Sequence, residues 1–437
     1  MTKKLFIWFI SLIAALSVVS SAKAQDDLEF ENPSVLIPVT LGGTFNRYRV
    51  AVNDLLPAKA GGRLDDTTAK ALIRRLTLNL DMTGYFDLLD PRASLEFDPR
   101  AGLSQGPPID YSPWAQIGAN FVVKGALETS GSKVVLDLYL FDVLNGRQLL
   151  AKRYTGPAKE AKKLVAFFTN DLLLSVTGEA GVFGSKIIYV AGDKSNQTIM
   201  ITELGLDEAE TLAGAKGGPA TEPTIGPGNR TAWTHRNKNK WELVSDGRVV
   251  HSGATVFTPA YSPTGALVAG LSGRVTTNIA LFEGKSTRQL TSGGSIEISP
   301  TFSPDGRMAY VSDQGGVGIY VTSAGGGPGR RISPPGTSTD PSWSPKGDKI
   351  VFVYRNQDIC IMNSDGSNVI QLTNQGVNHH PSFSPDGRMI VFSSTRGGGG
   401  HKLYVMSANG DRQQPLMADY KGGSQTLPTW SPELPQP

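Results

Sequence analysis

The chain has 437 residues, enough for two or three domains of roughly 100–200 residues each. Its charged fraction of 19% is below the usual share of about 25%, and its 50 glycines point to many tight turns rather than long helices. Basic and acidic residues number 42 and 39, and three of the lysines fall within the first 24 residues. Without those the balance is neutral, which leaves no basic patch for nucleic acid.

Residues 1–24 read as a secretory signal peptide. Lys3 and Lys4 form a basic start, Leu5 to Val19 an apolar core, and Ala22-Lys23-Ala24 a small-x-small site with a predicted cut after Ala24. The apolar run is short for a membrane span. Residues 25–33 then form an acidic arm ending at Pro33. Leu28 and Phe30 alternate with acids there, so the arm is either a mobile tail or a strand lent to a partner.

Residues 34–181 mix strands and helices and predict a small α/β domain. Val35 to Val39 and Tyr48 to Val52 read as strands. Asp65 or Asp66 caps a helix that carries Ala69, Leu72, Ile73, Leu76 and Leu80 on one face. Tyr85 to Leu89 returns as a strand, and a Pro/Gly-rich loop covers residues 91–113. Phe121 to Leu127 pairs with Val134 to Val143 around Ser130-Gly131-Ser132, with Val134, Leu136, Leu138 and Leu140 sharing a face. Leu164, Phe168, Leu172 and Val176 recur at four-residue spacing on a last helix, which Gly178 and Gly181 close.

From residue 185 to 437 helical periodicity disappears and a repeat takes over. The octet Pro300-Thr301-Phe302-Ser303-Pro304-Asp305-Gly306-Arg307 returns as Pro381-Ser382-Phe383-Ser384-Pro385-Asp386-Gly387-Arg388, each followed by an apolar strand. Degenerate copies begin at Pro223, Pro259, Pro341 and Pro428, so the six are spaced by 36, 41, 41, 40 and 47 residues. A period near 40 holds about four short strands, one propeller blade. The third-position aromatics, Tyr261, Phe302, Trp343, Phe383 and Trp430, suit a wedge between blades, and Ser-Pro-Asp-Gly suits a tight turn. The sixth copy lacks a following strand, while Lys186 to Val190 is a strand lacking a motif. The expectation is a six-bladed β-propeller whose C-terminal strand joins residues 187–212, leaving no open sheet edge.

This order of signal peptide, small α/β domain and Pro-x-[Phe/Trp]-Ser-Pro-Asp-Gly propeller resembles the TolB family of the periplasmic Tol–Pal cell-envelope system. The resemblance covers nearly all of the mature chain. It implies a monomeric binding protein rather than an enzyme, supporting envelope integrity and constriction at division. Its implied partners are a Pal-like peptidoglycan-associated lipoprotein at the propeller mouth, a TolA-like inner-membrane protein at the N-terminal arm, and other outer-membrane proteins. The residues implied for the arm are Asp26, Asp27, Leu28, Glu29 and Phe30. At the mouth, the pairs just before each motif proline are read as loops ringing the channel. They point to Thr258, Ile298, Ser299, Thr339, Asp340, His379 and His380 as the partner contact. The mixture of apolar, hydroxyl and charged groups suits a protein interface.

Other signals carry less. Gly102-Leu103-Ser104-Gln105-Gly106 matches G-x-S-x-G but lies in a loop between prolines, where a nucleophile elbow needs a strand before it and a helix after it. Gly284-Lys285-Ser286 lacks the upstream glycine of a phosphate loop, and His379-His380 has no second ligand cluster. Cys360 reads as a buried small hydrophobe in a strand. No catalytic residue, metal or cofactor is expected. Two other readings remain, a propeller-gated periplasmic hydrolase and a carbohydrate-binding propeller. The first would need a catalytic domain before residue 185, and the second a rim rich in aromatics, where the pairs offer only Phe257.

Overall fold

The computed structural model describes Lys23–Gln25 and residues 47–435, apart from residues 105, 194–195, 215–217, 238–239 and 418–422. Its first part is a seven-stranded mixed sheet of β1 (Lys23–Gln25), β2 (Tyr48–Val52), β3 (Leu56–Pro57), β4 (Phe86–Leu89), β5 (Phe121–Ser130), β6 (Lys133–Asp142) and β7 (Arg147–Pro157). The strand β2 lies parallel between β4 and β5, while β5, β6 and β7 form an antiparallel meander. Strand β1 pairs with β7 and spans the predicted cut, so a chain cleaved after Ala24 keeps only Gln25 of it. The strand expected at Val35 to Val39 lies outside the described residues.

Among the described residues, three α-helices accompany the sheet: α1 (Asp66–Met82), α2 (Ser112–Gln116) and α3 (Ala161–Thr177). Asp65 caps α1 by accepting the Thr68 N–H at 3.2 Å. Ala69, Leu72, Leu76 and Leu80 are buried against the sheet, and Ile73 packs at the edge of that core. In α3, Leu164, Phe168, Leu172 and Val176 are fully buried, and Gly178 ends the helix at φ 76°. Val134, Leu136, Leu138 and Leu140 of β6 face the same core. The sequence reading leaves β7 unassigned. Only Leu150, Tyr154 and Gly156 are buried along it, too sparse an alternation to announce a strand.

Six four-stranded antiparallel sheets follow. Their inner strands are Ala220–Ile225, Val256–Tyr261, Glu297–Phe302, Ser338–Trp343, Asn378–Phe383 and Gln425–Trp430. The last of these pairs antiparallel with β8 (Lys186–Ala191), which continues into β9 (Thr198–Glu203) and β10 (Ala209–Gly214). The two ends of the propeller sequence thus share one blade.

The motif's parts do separable work. Gly387 adopts φ 74° in the turn and its N–H bonds the Ser384 carbonyl at 2.9 Å, while Ser384 Oγ donates to Asp386 at 2.5 Å and accepts the Met389 N–H. The aromatics sit between blades. Tyr261 packs with Ala232 and Leu243 of the preceding sheet and with Leu267 and Ala269 of its own, and Trp343 bridges Ala309 and Ile319 to Ile350 and Phe352. Arg230 and Arg307, which close one motif, lie over the ring of the next, 5.0 Å from Tyr261 and 4.8 Å from Trp343. Cys360 is buried in its strand, and burial pushes the thiol up to about 11. No helix among the described residues is long and apolar enough to cross a membrane.

Candidate partner-binding site at the propeller mouth

The pairs before each motif proline lie inside the inner strands, not on loops. Each strand carries a β-bulge there, between Thr221 and Thr224, Phe257 and Ala260, Ile298 and Thr301, Thr339 and Ser342, His379 and Ser382, and Thr426 and Thr429. Proline explains the place. A bulge leaves a residue out of the ladder, and proline has no N–H to leave unsatisfied. The sequence reading recognised the proline but not the bulge.

The bulge divides each pair. The first member stays in register, as Ile298 opposite Val311, Thr339 opposite Val353 and His379 opposite Ser393. The second is thrown into the left-handed region: Glu222, Thr258, Ser299, Asp340, His380 and Leu427 have φ between 45° and 53°. None is glycine, and each such residue costs about 1–2 kcal/mol. These six line a central cavity of about 560 Å³, which continues past the motif prolines to the Ser-Pro turns. Of the seven mouth residues expected from sequence, Thr258, Ser299, Asp340 and His380 line the cavity, whereas Ile298, Thr339 and His379 do not. Glu222 and Leu427 complete the ring, and the same position before a proline identifies them in the sequence.

Side chains of the ring stitch blade to blade. Glu222 accepts the Thr258 N–H at 2.9 Å, Thr258 Oγ1 accepts the Ser299 N–H at 2.7 Å, and Asp340 accepts the His380 N–H at 3.3 Å. A second set one step along the strand ties Ser342 to Phe383 N–H at 3.4 Å and Ser382 to Trp430 N–H at 3.0 Å. At Thr258, Ser299 and His380 the left-handed backbone presents its N–H to the neighbouring blade, so strain and seam are parts of one arrangement there.

Charge is uneven around the ring. Burial pushes the Glu222 carboxyl up, against the Thr258 N–H and Thr234 hydroxyl that favour its ionised form. His380 Nε2 lies 3.8 Å from the Asp340 carboxylate. His379 packs on His380, and burial with that neighbour holds it below the usual imidazole range. The arm residues Asp26, Asp27, Leu28, Glu29 and Phe30 lie outside the described residues. Ser104 is exposed in a turn.

A family model for the TolB amino-terminal domain matches residues 36–149, and one for the TolB beta propeller domain matches residues 174–434. The chain is 32% identical over 391 residues to a protein TolB homolog of Chlorobium luteolum, covering 86% of this chain and 88% of that one. It is 30% identical to the Tol-Pal system protein TolB of Desulfosudis oleivorans, covering 78% and 63%. With a TolB homolog of Chlorobium chlorochromatii it shares 36% identity, but the match spans only 58% of that relative. A crystal structure of TolB from Acinetobacter baumannii superposes with a TM-score of 0.75 at 22% identity, covering 89% of this chain and 98% of that one. At that identity the likeness shows a shared fold.

Proposed function

The chain belongs to the TolB family, and on that premise we propose that it is a periplasmic, exported binding component of the Tol-Pal system. Its propeller mouth grips a Pal-like peptidoglycan-associated lipoprotein, and its N-terminal arm reaches a TolA-like inner-membrane protein. Through both contacts it supports outer-membrane integrity and constriction during division.

The observation that carries this reading is the ring of six left-handed residues around the mouth cavity. Strain repeated at every blade is the kind that functional sites retain. The ring mixes carboxylate, hydroxyl, imidazole and leucine side chains in a concave setting, which suits an inserted protein loop. The test is titration calorimetry with the soluble part of the organism's own Pal-like lipoprotein. Ser299→Trp and His380→Glu are each expected to weaken binding tenfold or more, or about 1.4 kcal/mol. Unchanged affinity in both variants would remove the mouth from the site. For the arm, deletion of residues 25–36 is expected to abolish recovery of the TolA-like protein from envelope extracts while leaving the lipoprotein bound.

A further inference from the structure

Three of the five histidines in the chain meet at one sector of the mouth. His380 lines the cavity, His379 packs beside it with ring centroids 5.7 Å apart, and the His401 ring lies 5.8 Å from that of His379, tilted by 44°. The three rings form one cluster beside the channel, with His401 close enough to His380 to feel its charge. His401 instead ends a loop that passes through Gly397, Gly398, Gly399 and Gly400, all at positive φ.

Among the described residues, the charged groups near this cluster are Asp340, Lys402 and Arg396. From the preceding blade, Asp340 approaches His380 at 3.8 Å. Lys402, next to His401, donates to the Gly423 carbonyl at 3.5 Å, and Arg396 at the head of the glycine loop is turned to Asn378 and Ser394. The neighbouring C-terminal segment, Ser424 to Leu427, is uncharged, and Glu222 lies beyond it on the next inner strand. Among the described residues, Asp340 is thus the carboxylate set against the three imidazoles.

We propose that the partner's footprint extends from the channel over this cluster, so that His401 belongs to the binding surface and binding is coupled to proton loss from His379 and His401. The inference rests on the reading that the mouth binds a protein partner. Covering the cluster removes water from imidazoles that are already crowded together, and that penalises the charged form. Burial already holds both His379 and His401 below the ordinary imidazole range in the free protein. A bound state that excludes protons must weaken as pH falls.

The experiment is titration of the mature chain with the soluble part of its Pal-like lipoprotein at about pH 7.5, 6.5 and 5.5. It is run in two buffers of different ionisation enthalpy, so that proton release is counted directly. Affinity is expected to fall with acid by up to about tenfold for each imidazole that must stay neutral, with net protons released on binding. His401→Gln and His379→Gln should each lower the number released. His251→Gln should not, because that ring packs on Phe282 in an earlier blade. Binding that persists with flat affinity and no proton release would overturn the inference, as would an unaltered proton count in His401→Gln. Absence of binding at every pH would overturn the partner assignment on which it rests.

Discussion

The six residues that face the channel hold a conformation that favours glycine, and the sequence supplies Glu222, Thr258, Ser299, Asp340, His380 and Leu427 instead. Thr258 is β-branched, the least suited of all to positive φ. Its hydroxyl accepts the Ser299 N–H across the blade seam, which supplies a reason for its retention. Glu222 plays the same part for Thr258 but carries a charge into a confined space. Its folded-state pKa is raised chiefly by burial. A raised carboxyl means that the native state holds its proton more tightly than the unfolded chain does. That contribution to stability is present in acid and is lost as pH rises through the folded value. Glu222→Gln keeps an acceptor for the Thr258 N–H and removes the charge. It is expected to raise the thermal midpoint at about pH 7.5 by roughly 1–3 °C, since each pKa unit is worth about 1.4 kcal/mol. The gain should shrink towards about pH 4, and an equal gain at both pH values would contradict the assignment. At this scale the sequence was half legible. A residue before proline can be picked out, but which member of His379-His380 enters the channel depends on a bulge that no periodicity announces.

At the scale of elements, the repeat was the most legible feature because its parts are chemically unlike and recur at a fixed distance. The closing strand could be inferred from an imbalance, a motif without a strand and a strand without a motif. Strand β7 could not, because only Leu150, Tyr154 and Gly156 are buried along it and no clean alternation marks it. The closing strand Gln425–Trp430 does more than complete a sheet. Trp430 is buried, its indole N–H donates to Ser185 Oγ at 2.8 Å and its backbone N–H to Ser382 Oγ at 3.0 Å. Thr429 donates to the Pro223 carbonyl at 3.1 Å, and Ser431 to Asn229 at 2.9 Å. One short strand therefore holds the blades on both of its sides. Trp430→Ala is expected to cost about 3–5 kcal/mol in urea denaturation, the usual price of emptying a buried aromatic site. Removing residues 428–437 should leave an aggregating chain with an open edge. A truncated protein that melts like the full-length one would show that the ring does not depend on this closure.

At the scale of the molecule, the α/β region and the propeller are parts of one hydrophobic core. Leu76 and Leu80 of α1 and Leu164 and Phe168 of α3 share a single buried cluster with Ile187, Tyr189 and Leu204 of the closing blade and with Met389, Val391, Leu403 and Val405 of the blade before it. Ion pairs frame the contact. Arg412 reaches Asp81 at 2.6 Å and Asp87 at 2.7 Å, Lys162 reaches Asp207 at 3.1 Å, and Arg75 also pairs with Asp207. Arg412 further donates to the Phe86 carbonyl at the edge of β4. Unfolding the α/β region alone would strip apolar cover from the two blades that close the ring, so local opening there is penalised twice. Hydrogen exchange followed through a urea series should therefore show α1, α3 and the strands at residues 186–203 and 389–407 losing protection at one denaturant concentration. Arg412→Ala is expected to move all of them together, by about 1–2 kcal/mol, because the pairs it breaks are only partly buried. If α1 and α3 instead opened first, with the blades still protected, the shared core would be a contact between independent units.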